Sequence, residues 1–249
     1  MEKKTIPNRW TGIILIWTGI ILIALGLLGI WLIYQENWHQ KDLESDSQTE
    51  KQIIDAESSS DPLCPDEHHP HFIDLGLPSG TRWACCNIGA TKPEESGSHF
   101  AWGETEEKRS FDMDNYAYYS ENRRTIDSEI AGTQYDVAFV QWGGQWRMPT
   151  LDQIKELVEE CKWTWTNRNG KNGILLTGPN EECLFLPAAG YCWGEKKGNE
   201  VEGSGGYYWS STMVLDEDLN SFYIFFSADD LDWNYFDRFL GLSVRPVCP

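Results

Sequence analysis

Apolar and polar positions divide the chain into an uncharged apolar run, a polar stretch and a long mixed segment. The run covers residues 10–35, and its 26 residues exceed the roughly 20 that a helix needs to span a bilayer. Basic residues precede the run and acidic residues follow it, so the positive-inside rule places residues 1–9 in the cytoplasm. The pattern predicts a signal anchor: one transmembrane helix over 10–35, with the following chain in the periplasm or at the cell surface.

A cleaved signal peptide is the alternative to a retained anchor. Its apolar region would be about 7–15 residues long and would end at a small-residue cleavage site. The run found here is longer, ends in Trp31–Tyr34 and contains no A-x-A sequence. Small residues recur in it at seven-residue spacing, which would allow two such helices to approach closely. A homodimer through Gly12, Gly19 and Gly26 is therefore one hypothesis, and the other is that glycine is simply common in membrane helices.

Residues 36–63 have the composition of a flexible acidic linker. They contain eight acids and two lysines, and their low hydrophobicity should keep them solvated and extended. From Cys64 onwards, tryptophan, tyrosine, phenylalanine and glycine become frequent. We therefore expect one folded domain over residues 64–249.

Short alternations of apolar and polar residues, separated by turn residues, predict many short strands in this domain. The predicted strands cover residues 72–75, 81–84, 163–166, 174–176, 184–186, 207–210, 221–226 and 243–247. One helix is predicted from Thr150, because Thr150 and Gln153 have capping-box spacing and Ile154 and Leu157 share a face. Few helices and many short strands indicate an α+β domain with long loops.

Charge narrows the classes of partner. Lys plus Arg total 20 and Asp plus Glu total 39, which gives a formal net charge of −19. Nucleic acid is excluded as a partner, because phosphates need a basic stripe and the sequence has no Lys/Arg cluster. An anionic membrane surface would not attract the chain either. The partners left are ligands outside the cytoplasm, such as a glycan or a protein.

The segment 221–240 holds the candidate binding residues. Alternation over 221–226 predicts Ile224 and Phe226 on one face of a strand, and Tyr223 and Phe225 on the other. Residues 229–237 are dense in aromatics and acids without a core-forming period, a composition that suits recognition of carbohydrate or protein. The alternative is a surface loop whose aromatic rings pack onto the domain. The candidate ligand-binding residues are Tyr223, Phe225, Asp229, Asp230, Asp232, Trp233, Tyr235, Asp237 and Phe239.

Metal binding has little support in the sequence. Asp230, Asp232 and Asn234 resemble the start of an EF-hand, but Tyr235 and Gly241 stand where that loop needs glycine and glutamate. A histidine cluster near residue 70 lacks helical i, i+4 spacing, and a solvated loop is the better interpretation of His68, His69 and His71. We expect no metal site and no cofactor.

Catalysis also has little support. The sequence contains no G-x-S-x-G, H-E-x-x-H or P-loop motif. Among its many acids, no carboxylate pair for glycoside hydrolysis can be identified. We therefore expect a protein that is not an enzyme.

Several ordered blocks resemble the Fibrobacter succinogenes major paralogous domain, which is abundant in gut Bacteroidota. The resemblance covers about residues 72–248. The blocks that carry it lie at 73–80, 83–84, 87–90, 100–104, 146–150, 161–166, 177–180, 185–191, 206–211 and 241–247.

The resemblance implies an extracytoplasmic domain of C-type-lectin-like type, similar in fold to the formylglycine-generating enzyme domain. It implies no activity, since most members are uncharacterised. In related C-type-lectin-like proteins the segment before the closing Ser-Val-Arg block can vary strongly to change ligand binding. The chain departs from the usual pattern at Cys85, Cys183 and Cys192, and in having an apparent anchor where most relatives have a lipoprotein or secretory signal.

The cysteines and three arginines are expected to serve stability. C-type-lectin-like folds bring their termini together, which suggests a Cys64–Cys248 disulfide, and Cys86–Cys161 is a second candidate pair. Seven cysteines leave at least one thiol free or bonded to another chain, and their spacing matches no zinc site. We expect Arg147, Arg238 and Arg245 to be structural, with Arg238 and Arg245 as buried hydrogen-bond centres.

Three functional hypotheses follow from the sequence. The first is a membrane-anchored binding module that recognises a glycan or protein ligand through segment 221–240. The second is a structural or assembly component of a cell-envelope complex. The third is an enzyme of formylglycine-generating type, which would need an unusually reactive cysteine.

Overall fold

A computed structural model describes residues 70–119, 126–195, 201–215, 217 and 219–249. Contacts divide the chain after Ser59, and the second unit, Ser60–Pro249, holds all of the described residues. The expected tail 1–9, anchor 10–35 with its three glycines and linker 36–63 lie outside the described residues, as do Cys64, His68 and His69. Within the described ranges, no helix is long and apolar enough to cross a membrane.

The described domain is a sheet-rich α+β unit, as the strand and helix patterns predict. The strands are β1 (Phe72–Asp74), β2 (Arg82–Ala84), β3 (Ser110–Phe111), β4 (Lys162–Arg168), β5 (Lys171–Thr177), β6 (Cys183–Pro187), β7 (Gly194–Glu195), β8 (Gly205–Met213), β9 (Asn220–Ser227), β10 (Leu231–Asp237) and β11 (Val247–Cys248). The helices are α1 (Val137–Trp142) and α2 (Leu151–Glu160), with a short 3-10 helix at Met113–Asn115.

Four small sheets make up the strand architecture of the described residues. Three of them have three strands each, in the orders β1-β2-β11, β4-β5-β6 and β10-β9-β8, and β3 pairs with β7. All of the strand pairs are antiparallel. Because β11 pairs with β2, the end of the chain is held beside the start of the described domain.

The predicted helix begins where its capping box indicates. The Thr150 side chain accepts a hydrogen bond from the Gln153 N–H, and the Gln153 side chain accepts one from the Thr150 N–H. Ile154 and Leu157 on its apolar face are fully buried. The prediction of a helix from Thr150 is therefore confirmed.

The β8-β9-β10 sheet lies between two hydrophobic clusters. Ile224 and Phe226 of β9 face a cluster that includes the apolar side of α2. Tyr223 and Phe225 face the opposite cluster, which is built around Trp102 and Trp209 in the other half of the domain. The alternation predicted over 221–226 is confirmed, because successive strand residues point to opposite faces.

The structure differs from the sequence predictions in three segments. Residues 229–237, whose composition showed no core-forming period, include β10, which is regular because its N–H and C=O groups pair with β9. The predicted strand 243–247 is reduced to an isolated bridge at Ser243 and the short β11. Helix α1 was not predicted, since its six residues are too few for a helical period to be visible.

The expected Cys86–Cys161 disulfide is not formed in the described domain, and Cys64 of the other expected pair lies outside the described residues. Cys161 is a free thiol in the core, so it is not bonded to Cys86. Cys248 is also a free thiol, whose Sγ lies 3.2 Å from the Gln145 Oε1 atom and 3.6 Å from an Arg82 nitrogen. Burial raises the pKa of the Cys161 thiol to about 11, so this side chain behaves as a small apolar group at neutral pH.

The three arginines occupy structural positions. Arg245 is buried and donates to the carbonyl oxygens of Ala84, Cys85 and Phe185 and to the Asn87 side chain. The Arg238 guanidinium lies 4.5 Å from the ring centre of Trp102. Arg147 exchanges two backbone hydrogen bonds with Val247. These contacts tie the closing segment of the chain to the rest of the domain.

Candidate functional site

The register of β9 and β10 divides the expected ligand-binding residues between two faces of one sheet. Residues directly opposite each other in an antiparallel pair share a face. Asp232 is opposite Phe225 and Asn234 is opposite Tyr223, which places these four on one face. Trp233 is opposite Ile224 and Tyr235 is opposite Phe222, which places these on the other. Segment 221–240 therefore forms two distinct surfaces rather than one.

We call the first surface the tyrosine face: Tyr191, Tyr207, Tyr223, Phe225 and Phe236. Tyr207 lies at its centre, with ring centroids 4.9 Å from Tyr191, 5.1 Å from Phe225 and 5.7 Å from Tyr223. Phe236 closes the group, at 5.3 Å from Tyr191 and 5.4 Å from Tyr223. Four of the five side chains are half-buried, so the cluster is a rigid aromatic surface that reaches solvent.

The tyrosine face carries three hydroxyl groups, on Tyr191, Tyr207 and Tyr223. Within the described part of the chain, no protein group makes a hydrogen bond to the hydroxyl of Tyr191, Tyr207 or Tyr223, and none of these oxygens is buried. Burial raises the pKa of Tyr223 to about 12, with the neighbouring tyrosines contributing, and burial also raises the pKa of Tyr207. These two phenols stay protonated at neutral pH, so each can both donate and accept a hydrogen bond.

We call the second surface the tryptophan face: Phe222, Trp233 and Tyr235. The Phe222 ring meets both others edge-on, at centroid distances of 5.9 Å from Trp233 and 6.4 Å from Tyr235. Trp233 is 36% exposed and Tyr235 is 48% exposed. The Lys155 ammonium of α2 lies 4.6 Å from the Trp233 ring centre. One side of the tryptophan ring is therefore already occupied by a cation–π contact.

β10 is an edge strand among the described residues, and its own side chains protect that edge. The Ser227 N–H donates to the Asp230 carbonyl, which shows that residue 230 and every second residue after it face β9 with their N–H and C=O groups. The residues between them, including Trp233 and Tyr235, therefore point their N–H groups away from β9. The Asp232 carboxylate accepts the Trp233 N–H at 2.7 Å, and the Asn234 amide oxygen accepts the Tyr235 N–H at 2.8 Å. These two outward donors in the middle of the strand are thus satisfied within the strand.

The remaining expected residues surround these surfaces. Asp229 and Asp230 are exposed in the turn between β9 and β10. Asp237 is half-buried at the end of β10, and burial raises its pKa. Phe239 is half-buried and packs against two hydrophobic clusters. Every charged residue of the β9–β10 hairpin is acidic.

Tyr223 differs from the sequence-based expectation. It was expected to offer its ring to a ligand, but only 7% of the residue is exposed. Its ring packs against Trp209 and Phe236, because the face of β9 that carries it covers the second hydrophobic cluster. A ligand can reach its hydroxyl and not its ring face.

Sequence reasoning missed four residues of this site. Tyr191 and Tyr207 lie outside the segment 221–240, and a parallel bridge between Gly190 and Gly206 brings them together. Phe236 and Asn234 lie inside it, and the register of β10 places both on the same side of the sheet as Tyr223. The Gly-Tyr pair common to positions 190–191 and 206–207 is the only sequence signal for this juxtaposition.

Metal-ligating groups do not converge in the described residues. No group of three or more His, Cys, Asp or Glu side chains in these ranges could hold a metal ion. Asp230 lies in the turn and Asp232 and Asn234 lie in β10, where the Oδ1 atoms of Asp232 and Asn234 each accept a backbone N–H. His71 is a core-edge residue whose Nδ1 atom lies 3.6 Å from the Cys85 sulfur.

Comparison with protein-family models, with curated proteins and with solved structures found no match to this chain. Any assignment of function therefore depends on the chemistry of the two aromatic faces. Rings of this kind provide flat apolar area, while the hydroxyl, amide and carboxylate groups beside them orient a polar ligand.

Proposed function

We propose that the domain is a ligand-binding module that recognises a glycan or protein outside the cytoplasm through the β9–β10 hairpin and the two aromatic faces beside it. The observation that carries this proposal is the concentration of solvent-reaching rings and unused polar groups around one edge strand. The sheet-rich α+β fold and the ordered sequence blocks support a C-type-lectin-like domain. The uncharged run 10–35 supports a membrane anchor that presents the domain outside the cell membrane.

Recognition by side chains is favoured over addition of a peptide strand to β10. Strand addition needs exposed backbone donors at a sheet edge. Here the N–H groups of Trp233 and Tyr235 are occupied by the side chains that precede them. A ligand that uses ring stacking and hydroxyl contacts meets no such competition, so the geometry favours a glycan over an extended peptide.

The experiment is a screen of the purified full-length protein, in mild detergent, on arrays of glycans and of envelope proteins. A variant with Trp233→Ala and Tyr235→Ala and a variant with Phe225→Ala and Phe236→Ala are screened in parallel, with Tyr119→Phe as a matched exposed control. We expect a hit that at least one double variant weakens tenfold or more and that the control retains. Binding to no array member, or hits that both double variants retain in full, would overturn the proposal.

Exposed apolar side chains outside the two aromatic faces favour the alternative of an assembly component. Phe72 is 50% exposed and stacks on Trp146 at a centroid distance of 4.5 Å, and Val140 of α1 is 47% exposed. Exposed apolar groups of this kind are frequent in protein interfaces. Crosslinking of the full-length protein in its native membrane would support this function if Phe72→Ser abolished a defined hetero-complex. It would argue against it if the protein remained uncrosslinked.

A further inference from the structure

We infer that the tyrosine face is a subsite for a neutral sugar residue, bound through the hydroxyls of Tyr191, Tyr207 and Tyr223. This inference rests on the proposed binding function and specifies which face acts and which class of ligand it takes. The juxtaposition of these three residues is produced by the bridge between Gly190 and Gly206 and by the pairing of β8 with β9.

The first argument is the unused hydrogen-bonding capacity of the hydroxyl cluster. Tyr116 and Tyr208, which are buried elsewhere in the domain, donate their hydroxyls to the carbonyl oxygens of Trp102 and Pro187. The three hydroxyls of the tyrosine face have no such partner in the described residues, although their rings are held firmly by each other. A ligand rich in hydroxyl groups can donate to and accept from all three.

The second argument concerns the polar atoms that flank the rings. Asp232 and Asn234 share the face with Phe225 and Tyr223, and each uses its Oδ1 atom to accept a backbone N–H. These bonds fix the side-chain orientation. Among the described residues, neither the second Asp232 oxygen nor the Asn234 amide nitrogen makes a hydrogen bond, which leaves one oriented acceptor and one oriented donor for a ligand.

The third argument is charge, which selects the class of sugar. All four charged residues of the hairpin, at 229, 230, 232 and 237, are acidic, and the chain as a whole carries −19. A uronic acid, a sialic acid or a phosphorylated sugar would meet repulsion here, and the tyrosine face itself offers it no cation. A neutral pyranose presents C–H groups to the rings and hydroxyl groups to the phenols, and it carries no charge that the acidic residues of the hairpin would repel.

Isothermal titration calorimetry of the full-length protein in mild detergent tests the inference. The probes are neutral hexasaccharides built from glucose, mannose or galactose, and hexagalacturonate as the acidic counterpart. A triple variant, Tyr191→Phe with Tyr207→Phe and Tyr223→Phe, keeps all of the rings and removes only hydroxyls that make no hydrogen bond to any described residue. The single variant Tyr207→Phe provides a milder change, and Tyr119→Phe is the matched control, because this exposed tyrosine lies outside both aromatic faces.

We expect at least one neutral hexasaccharide to bind ten times or more tightly than hexagalacturonate. The triple variant should weaken that binding at least tenfold, Tyr207→Phe should weaken it less, and Tyr119→Phe should leave it unchanged. Neutral binding that survives the triple variant, or acidic binding of equal strength, would overturn the inference while the broader binding function stands. Binding to no saccharide, together with a hit on the protein array, would overturn the inference in favour of a protein ligand.

Discussion

Individual polar residues inside the domain are placed where they satisfy backbone groups that secondary structure leaves unpaired. Asp136 is fully buried and accepts four backbone N–H bonds, two from the start of α1 and two from Gly132 and Met148. Burial raises its pKa, while those four bonds act in the opposite direction. A carboxylate suits this position because both of its oxygens accept and neither donates.

Replacing Asp136 by asparagine should destabilise the protein strongly. The amide nitrogen would face the N–H group of Gly132 or Met148, so buried donors would lose their acceptor. We expect the free energy of unfolding to fall by about 2–4 kcal/mol, as for other buried polar groups left unsatisfied. Urea denaturation measures the free energy of unfolding, with Asp127→Asn at an exposed position as the control. Equal stability of the two variants would contradict this role.

The buried phenol of Tyr208 should make the folding stability of the protein fall at high pH. Tyr208 is buried, its hydroxyl lies 2.6 Å from the Pro187 carbonyl oxygen, and burial raises its pKa to about 12 from 10.0. Its contribution is therefore complete below pH 10 and is lost as the pH rises towards 12. The difference between the pKa of Tyr208 in the folded protein and its ordinary value corresponds to about 3 kcal/mol of folding stability. Urea midpoints at pH 8, 10 and 11.5 should fall most between pH 10 and 11.5, and that fall should be smaller for Tyr208→Phe than for the parent protein.

Among the helices and strands, those whose signal lies in neighbouring residues can be predicted from the sequence. Those that form because of pairing with a distant segment cannot. The capping box at Thr150 and the alternation over 221–226 are visible in the chain, and both are confirmed. β10 was missed as a strand because its central residues are exposed on both faces, so that no apolar alternation is visible, while its regularity comes from pairing with β9. Its edge, by contrast, is protected by neighbouring residues that are adjacent in sequence.

Removing both edge-protecting side chains should make the protein self-associate. The double change Asp232→Ala with Asn234→Ala would leave the outward N–H groups of Trp233 and Tyr235 unpaired, and exposed edges of this kind pair with other strands. Sedimentation velocity should show a larger species for this variant that grows with protein concentration. Asp230→Ala, which removes one negative charge at the same hairpin, should sediment like the parent. Identical behaviour of both variants would contradict the edge-protection account.

For the whole molecule, tertiary structure decides which aromatic residues are available to a ligand. The sequence identified the segment that carries Phe225, Trp233 and Tyr235, since rings and acids are concentrated there. It could not reveal that Tyr223 is buried against Trp209, or that Tyr191 and Tyr207 complete the tyrosine face. Those facts depend on pairing between β8 and β9 and on a bridge across 16 residues from Gly190 to Gly206.

The most direct test of the central claim is a saturation-transfer NMR measurement on the full-length protein with a neutral hexasaccharide as the ligand. Aromatic protons are irradiated, saturation spreads through the protein, and its transfer to the sugar C–H protons reports which parts of the sugar contact the protein. The account predicts transfer for the wild-type protein, and weaker transfer when Phe225 and Phe236 are both replaced by leucine, because the tyrosine rings of the face remain. Transfer that persists undiminished in this variant, or no transfer from the wild-type protein, would contradict it.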